Sequence, residues 1–250
     1  MSPMRAAVFD TDGVLLDSAV LHAEAWKAAF DGCLDAWASH GARQRPFDAD
    51  REYRELVDGK PRFDGALAFL KARGLELPWG TPDDRPGFDT VWAVAAYKEQ
   101  LFTQTIRDRA VAPFPEVAPA LNELRDKGIR CAAVSASRHA RALLQAARLD
   151  GLFDTSVDGE DAARLALAGK PDPALFLEAA ARLGTATGST AVVEDATAGV
   201  EAGSRGRFGL VVGIDRSSDG HTADSLRARG ADLVLGDLTL LPTALRGYMP

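Results

Sequence analysis

Ala6-Ala7-Val8-Phe9-Asp10-Thr11-Asp12-Gly13 is the stretch on which the reading turns. Apolar residues run without alternation and stop at a carboxylate. A second carboxylate follows two residues later, then a glycine. Unbroken apolarity of this length suits a strand buried on both faces, as in a parallel sheet. A lone strand is not stable, so residues 8–10 need partners from further along the chain. The same pattern recurs there: 131–134 stops at Ser135, 191–193 at Glu194-Asp195, 209–214 at Asp215, and 232–235 at Gly236-Asp237. Helical patterns lie between these runs. One covers about 116–127 and ends at Gly128, a suitable C-cap, and one covers about 138–148. A third opens at Pro171-Asp172-Pro173, with proline in its first turn, and runs to Leu183-Gly184; a fourth spans about 196–203. Strands alternating with helices predict an α/β fold, a Rossmann-like doubly wound parallel sheet.

Residues 18–105 differ from this plan. They are rich in helical pattern, carry Trp26, Trp37, Trp79 and Trp92, and show no central strand. The simplest organisation is a helical domain, 18–105, inserted after the first strand, with 1–17 and 106–250 forming the α/β core. Within the insertion, 74–87 is rich in proline and glycine and reads as a surface loop. Residues 242–250 read as a short helix and tail.

Composition narrows the function. The chain has 250 residues, 46% hydrophobic and 26% charged, with a formal net charge of −7. That is the balance of a globular protein, and the acidic excess argues against nucleic acid or an anionic membrane as partner. No stretch approaches the ~18 apolar residues of a spanning helix. Cys33 and Cys131 form no CxxC pair, so a reducing cytoplasm is the expected setting. Dinucleotide, P-loop, nucleophile-elbow and zinc-protease signatures do not appear.

In an open α/β sheet, ligands bind at the carboxyl ends of the strands. Asp10, Asp12, Ser135, Glu194 and Asp195 stand at those ends, and Lys170 sits in a loop before a helix. Each has an ordinary reading alone: Asp as turn residue or cap, Lys as surface group, Glu194-Asp195 as the acidic start of a helix. Their conjunction is more specific. Each pair of carboxylates 4 Å apart would repel by about 4 kcal/mol at an effective dielectric near 20. Such a cluster calls for a cation, and hard oxygen donors without Cys or His suit Mg²⁺. A bound cation and one lysine would attract a phosphate dianion, to which Ser135 offers its hydroxyl and its N–H. Phosphoryl transfer to or from an aspartate is the chemistry that fits.

The run Val8-Phe9-Asp10-Thr11-Asp12-Gly13-Val14 resembles the first motif of the haloacid dehalogenase superfamily, Asp-x-Asp-Gly. Ser135, Lys170 and Glu194-Asp195 resemble its second, third and fourth motifs. The resemblance covers essentially the whole chain. It implies a helical cap, Asp10 as nucleophile, Asp12 as general acid and base, and Lys170 as the charge between nucleophile and phosphate. It also implies Mg²⁺ held by Asp10, Asp195 and the carbonyl of Asp12, with Glu194 at or beside the metal. Residues 10–26 are similar to the β-phosphoglucomutase-like subfamily, His22 and Trp26 included. Ser135-Ala136-Ser137-Arg138 resembles that subfamily's Ser-Ala-Ser-Lys. Arg62 falls where it has a cap arginine for a distal phosphate, and Lys98 matches the lysine of its Arg-Lys-Asn segment, here flanked by Tyr97 and Glu99. His22, Arg62, Lys98, Ala136 and Ser137 are therefore expected to bind a sugar phosphate. The expected activity is Mg²⁺-dependent interconversion of β-glucose 1-phosphate and glucose 6-phosphate by a monomer. A sugar-phosphate phosphatase and a non-catalytic phosphosugar-binding protein stand as alternatives.

Overall fold

The computed structural model describes residues 3–38, 44–217 and 221–248. The chain divides into two compact units, Met1–Asp17 with Val111–Pro250, and Ser18–Ala110. The first is built on six parallel strands: β1 (Ala6–Asp10), β2 (Arg130–Val134), β3 (Thr155–Val157), β4 (Thr190–Glu194), β5 (Leu210–Ile214) and β6 (Leu233–Leu235). Their order across the sheet is β3-β2-β1-β4-β5-β6. The first strand in sequence is thus central, and the chain winds outward from it in both directions. Every residue of β1, β4 and β5 is buried, the physical counterpart of their unbroken apolar runs.

Helices α4 (Val117–Asp126), α5 (Ala140–Ala146), α6 (Gly159–Leu165), α7 (Ala174–Arg182), α8 (Thr197–Arg205), α9 (His221–Ala228) and α10 (Leu241–Ala244) complete this unit. One sheet face contributes Ala6, Val8, Ala132, Val134, Val192 and Val211 to a core closed by Leu175, Phe176 and Ala179 of α7, Val200 of α8 and Leu226 of α9. Helix α4 packs on β2 and against α10. The third predicted helix starts later than the prolines suggested. Pro173 is the N-cap of α7, and the Ala174 N–H donates to Asp172 Oδ1 at 2.9 Å, so the Asp side chain serves the helix start. The short strand β3 and helix α6 carry little apolar pattern, and only Val157 of β3 is buried. The end of the chain forms α10 and a 3₁₀ turn, Leu245–Tyr248; Met249 and Pro250 lie outside the described residues.

The second unit holds α1 (Ala19–Ala36), a π-helical turn (Tyr53–Val57), α2 (Arg62–Ala72) and α3 (Val91–Asp108). Helix α3 continues past residue 105, to Asp108. The core is aromatic: Phe30 stacks on Trp26 at 4.7 Å and on Phe69 at 3.9 Å between ring centroids. Segment 44–48 is fastened by charge. Arg73 donates Nε to Glu52 Oε1 (2.9 Å) and Nη2 to Glu52 Oε2 (2.8 Å). Glu52 also accepts from Arg45 Nη2 (3.1 Å) and from the Asp48 N–H (2.9 Å). These groups hold its carboxyl below the usual glutamate range, the Arg73 hydrogen bonds contributing most.

Candidate active site

Strand register brings the motif residues to one edge. Asp10 is level with Val134, so Ser135 emerges beside it. Phe9 is level with Val193, so Asp10 and Glu194 end their strands side by side. Lys170, from the loop ahead of α7, reaches both: its Nζ hydrogen-bonds Asp10 Oδ1 and Glu194 Oε1. All three are buried, Lys170 and Glu194 almost completely, and the lysine Nζ lies over the Phe176 ring, 5.0 Å from its centroid. Burial pulls the ammonium towards neutrality, but Asp10 and Glu194 outweigh it and hold it above the usual lysine value. Burial pushes the Asp10 carboxyl well up from its ordinary value; Lys170 opposes this, while Glu194 and Asp12 add to it.

Glu194 uses its other oxygen on the Ala196 N–H, at 2.7 Å, so both its oxygens serve protein groups. Asp195, the next residue, lies against the turn after β1. An ideal Cβ placed on Gly13 would stand 1.8 Å from Asp195 Oδ2, and Gly13 has φ +80°. Position 13 thus needs glycine for its backbone and for its neighbour.

Ser135 is used differently from the expectation. Its N–H donates to the Val157 carbonyl at 3.0 Å, extending the β2–β3 ladder. Its hydroxyl donates to Asp12 Oδ2 at 3.1 Å and accepts from the Ser137 N–H at 3.0 Å. A serine at a strand end completes the sheet before it serves a ligand, so the N–H is not on offer and the hydroxyl orients Asp12. Ala136 and Ser137 form the loop that follows. That loop rests on Gly159, whose ideal Cβ would stand 2.6 Å from the Ala136 carbonyl oxygen.

Asp10, Asp12, Glu194 and Asp195 offer hard oxygen donors, and Lys170 is the cation bonded to two of them. That donor chemistry fits Mg²⁺. Among the described residues no three His, Cys, Asp or Glu side chains form a metal cage. Two carboxylates completed by a backbone carbonyl and waters would hold Mg²⁺ without one.

In the helical unit, packing of α1 on α3 brings His22 and Lys98 together. Lys98 Nζ is 2.9 Å from His22 Nδ1, and His22 stacks on Phe102 at 3.9 Å. An ammonium has only hydrogens to offer, so Nδ1 accepts and the proton of a neutral His22 ring sits on Nε2. Lys98 is buried beside the rings of Trp26 (5.4 Å) and Phe102 (4.5 Å). Arg62, at the start of α2, is half-buried and pairs with Glu99 of α3, Nη1 to Oε1 at 3.3 Å. Its guanidinium also lies 5.9 Å from the Trp92 ring centroid.

One residue of this region had escaped the sequence reading. Arg216, two residues beyond β5, donates Nε to the Gly13 carbonyl (3.0 Å) and Nη2 to the Val14 carbonyl (3.1 Å). The only signal was its place just beyond a strand's carboxyl end.

A buried aspartate–lysine pair at the head of a central parallel strand, with a second aspartate two residues on, defines a phosphoryl-transfer enzyme. The sequence profile of the haloacid dehalogenase-like hydrolases matches residues 4–206, and the chain belongs to that family. A β-phosphoglucomutase of Mycobacterium bovis is 41% identical over 239 residues, 95% of this chain and 91% of that one. A phosphorylated carbohydrates phosphatase of Thermotoga maritima is 29% identical over 216 residues, 86% of this chain and 87% of its own. The solved structure of a β-phosphoglucomutase from Clostridium difficile shares the fold, with a TM-score of 0.75 at 19% identity and 98% of both chains covered. Within the family, the protein falls in the β-phosphoglucomutase-like branch. No helix among the described residues is long and apolar enough to cross a membrane.

Proposed function

We propose that the protein is a Mg²⁺-dependent β-phosphoglucomutase, interconverting β-D-glucose 1-phosphate and glucose 6-phosphate through a 1,6-bisphosphate. The observation that carries this reading is the 41% identity to the Mycobacterium bovis enzyme over 95% of the chain. Asp10 attacks phosphorus and becomes the aspartyl-phosphate. Asp12, held by Ser135, gives a proton to the departing sugar oxygen and later takes one from the attacking hydroxyl. Lys170 keeps Asp10 aimed and offsets charge as the phosphoryl group arrives. Glu194 orients Lys170 and would stand at or beside the metal. Asp10, Asp195 and the Asp12 carbonyl would hold Mg²⁺, which supplies electrostatic stabilisation of the transferring phosphoryl group. Ala136 and Ser137 line the phosphate loop, and Arg62, Lys98 and His22 of the helical unit bind the sugar and its distal phosphate. Both cysteines are free and buried, in keeping with a reducing cytoplasmic setting.

A phosphatase acting on the same sugar phosphates is the second reading. The Arg62–Glu99 ion pair favours it, because a guanidinium already paired grips a distal phosphate less tightly. The deciding experiment supplies β-glucose 1-phosphate with a trace of β-glucose 1,6-bisphosphate and follows glucose 6-phosphate and free phosphate together. The mutase reading expects glucose 6-phosphate to dominate, and a loss of that turnover in Arg62→Ala. Free phosphate as the main product, unchanged by Arg62→Ala, would replace it with the phosphatase reading.

A further inference from the structure

We propose that Arg216 is a positioning residue for the general acid and base. This rests on the assignment of that role to Asp12. The turn that carries Asp12 is tied at several points. Upstream, the Thr11 hydroxyl donates to the Val134 carbonyl at 3.1 Å. Within the turn, the Leu15 and Leu16 N–H groups donate to the Thr11 carbonyl at 3.0 and 2.9 Å, and the Gly13 N–H donates to the Leu16 carbonyl at 2.9 Å. Downstream, the carbonyls of Gly13 and Val14 point to Arg216. Gly13 is the residue of this turn with the greatest intrinsic backbone freedom, since only glycine visits its positive φ freely. Two carbonyls held by one planar guanidinium remove that freedom.

Arg216 is itself held by its neighbours. Its guanidinium carbon lies 3.5 Å from the Phe114 ring centroid, and Nη2 is 2.7 Å from Glu116 Oε1. Its backbone is preset by β5: the Asp215 N–H donates to the Leu235 carbonyl at 2.8 Å, and Asp215 Oδ1 accepts from the Ser217 N–H at 2.9 Å and its hydroxyl at 2.6 Å. Phe114 belongs to the returning chain, where its N–H donates to the Leu15 carbonyl at 3.1 Å. Arg216 therefore joins the sheet edge, the Asp12 turn and the returning chain in one stack. Without it, the Gly13 and Val14 carbonyls lose this partner, and the stretch just after Asp12 loses its tie to the end of β5.

The chemistry gives a specific test. When a sugar phosphate donates, an Asp10 oxygen bonds to phosphorus, the phosphorus–sugar oxygen bond breaks, and the Asp12 proton passes to that oxygen to make a hydroxyl. When acetyl phosphate donates, acetate leaves with its negative charge and needs no proton. A misplaced Asp12 should therefore slow only the first donor. Single-turnover phosphorylation of Asp10, read by rapid quench, would be compared for β-glucose 1,6-bisphosphate and acetyl phosphate. Arg216→Ala should slow the first about 100-fold and the second by less than about threefold, the scale of lost general acid catalysis. Arg216→Lys, whose single ammonium cannot span both carbonyls, should show the same selectivity at about tenfold, and serves if the alanine variant does not fold. Equal losses with both donors, or no loss with either, would overturn the proposal. Only the first half-reaction is read, so the outcome does not depend on whether a sugar hydroxyl or water later accepts the phosphoryl group. A wild type that reacts with acetyl phosphate but not with the bisphosphate would strike the sugar-phosphate reading instead. Arg216 would then be scored on phenyl phosphate, whose leaving group also gains from a proton.

Discussion

Replacing Lys170 by methionine isolates the electrostatics of the site. The two side chains are similar in length, so little cavity forms, but the ammonium that bonds both Asp10 and Glu194 is gone. Two oxygens sharing one nitrogen as partner lie within roughly 5 Å of each other, where full charges repel by about 3 kcal/mol at an effective dielectric near 20. Lys170 and Glu194 are 1% and 0% exposed, so water cannot take the ammonium's place. Removing one member of a buried ion pair costs about 3–5 kcal/mol, and the variant should lose that much stability. Phosphoryl transfer should also fall below detection, since Asp10 loses the group that aims it. Urea unfolding at neutral pH with chelator present gives the free energy without metal compensation. The control is Lys170→Met with Glu194→Gln. It removes the second uncompensated charge, keeps an acceptor for the Ala196 N–H, and should recover about 2 kcal/mol of the loss, a coupling of the size seen between residues in contact. A single variant as stable as wild type, or a double variant less stable than the single, would refute the account of Lys170 as the counter-charge of the site.

Other outcomes follow from the same geometry. Asp10→Asn should keep the fold and lose nearly all turnover, as the rate of aspartyl-phosphate formation would record. Gly13→Ala should cost about 1–2 kcal/mol for its left-handed backbone and displace Asp195, so the Mg²⁺ concentration for half-maximal activity should rise; an unchanged metal requirement would contradict the placement of Asp195. Exhaustive chelation should abolish activity, and Ca²⁺ should not restore it, because its longer bonds and higher coordination number misplace the carboxylate. Glu52, whose folded pKa is depressed by Arg73, should contribute stability that is present above its unfolded value of 4.5 and lost as pH falls through that value towards the folded one. The stability of wild type should therefore fall below about pH 5, and Glu52→Gln should lose that slope along with about 3 kcal/mol at neutral pH.

The sequence determined the fold class and which residues stand at the candidate site. Strands buried on both faces must be apolar throughout, so β1, β2, β4 and β5 announced themselves, and a ligand site at their carboxyl ends had to be built from the residues where the runs stop. Asp10, Asp12, Lys170, Glu194 and Asp195 were legible for that reason. Strand β3 was not, because Thr155-Ser156-Val157 holds a single apolar residue, whereas the equally short edge strand β6 is apolar throughout, Leu233-Val234-Leu235. Only the tertiary structure decided the strand order and what each polar group does with its hydrogen bonds. Ser135 gives its N–H to Val157 and its hydroxyl to Asp12; Glu194 serves Lys170 and Ala196; Glu99 occupies Arg62; Arg216 grips the Gly13 and Val14 carbonyls. Gly13 and Arg216 are 203 residues apart in the chain. Hydrophobic pattern is a property of each segment by itself, while a hydrogen-bond partner is a property of two segments that folding brings together.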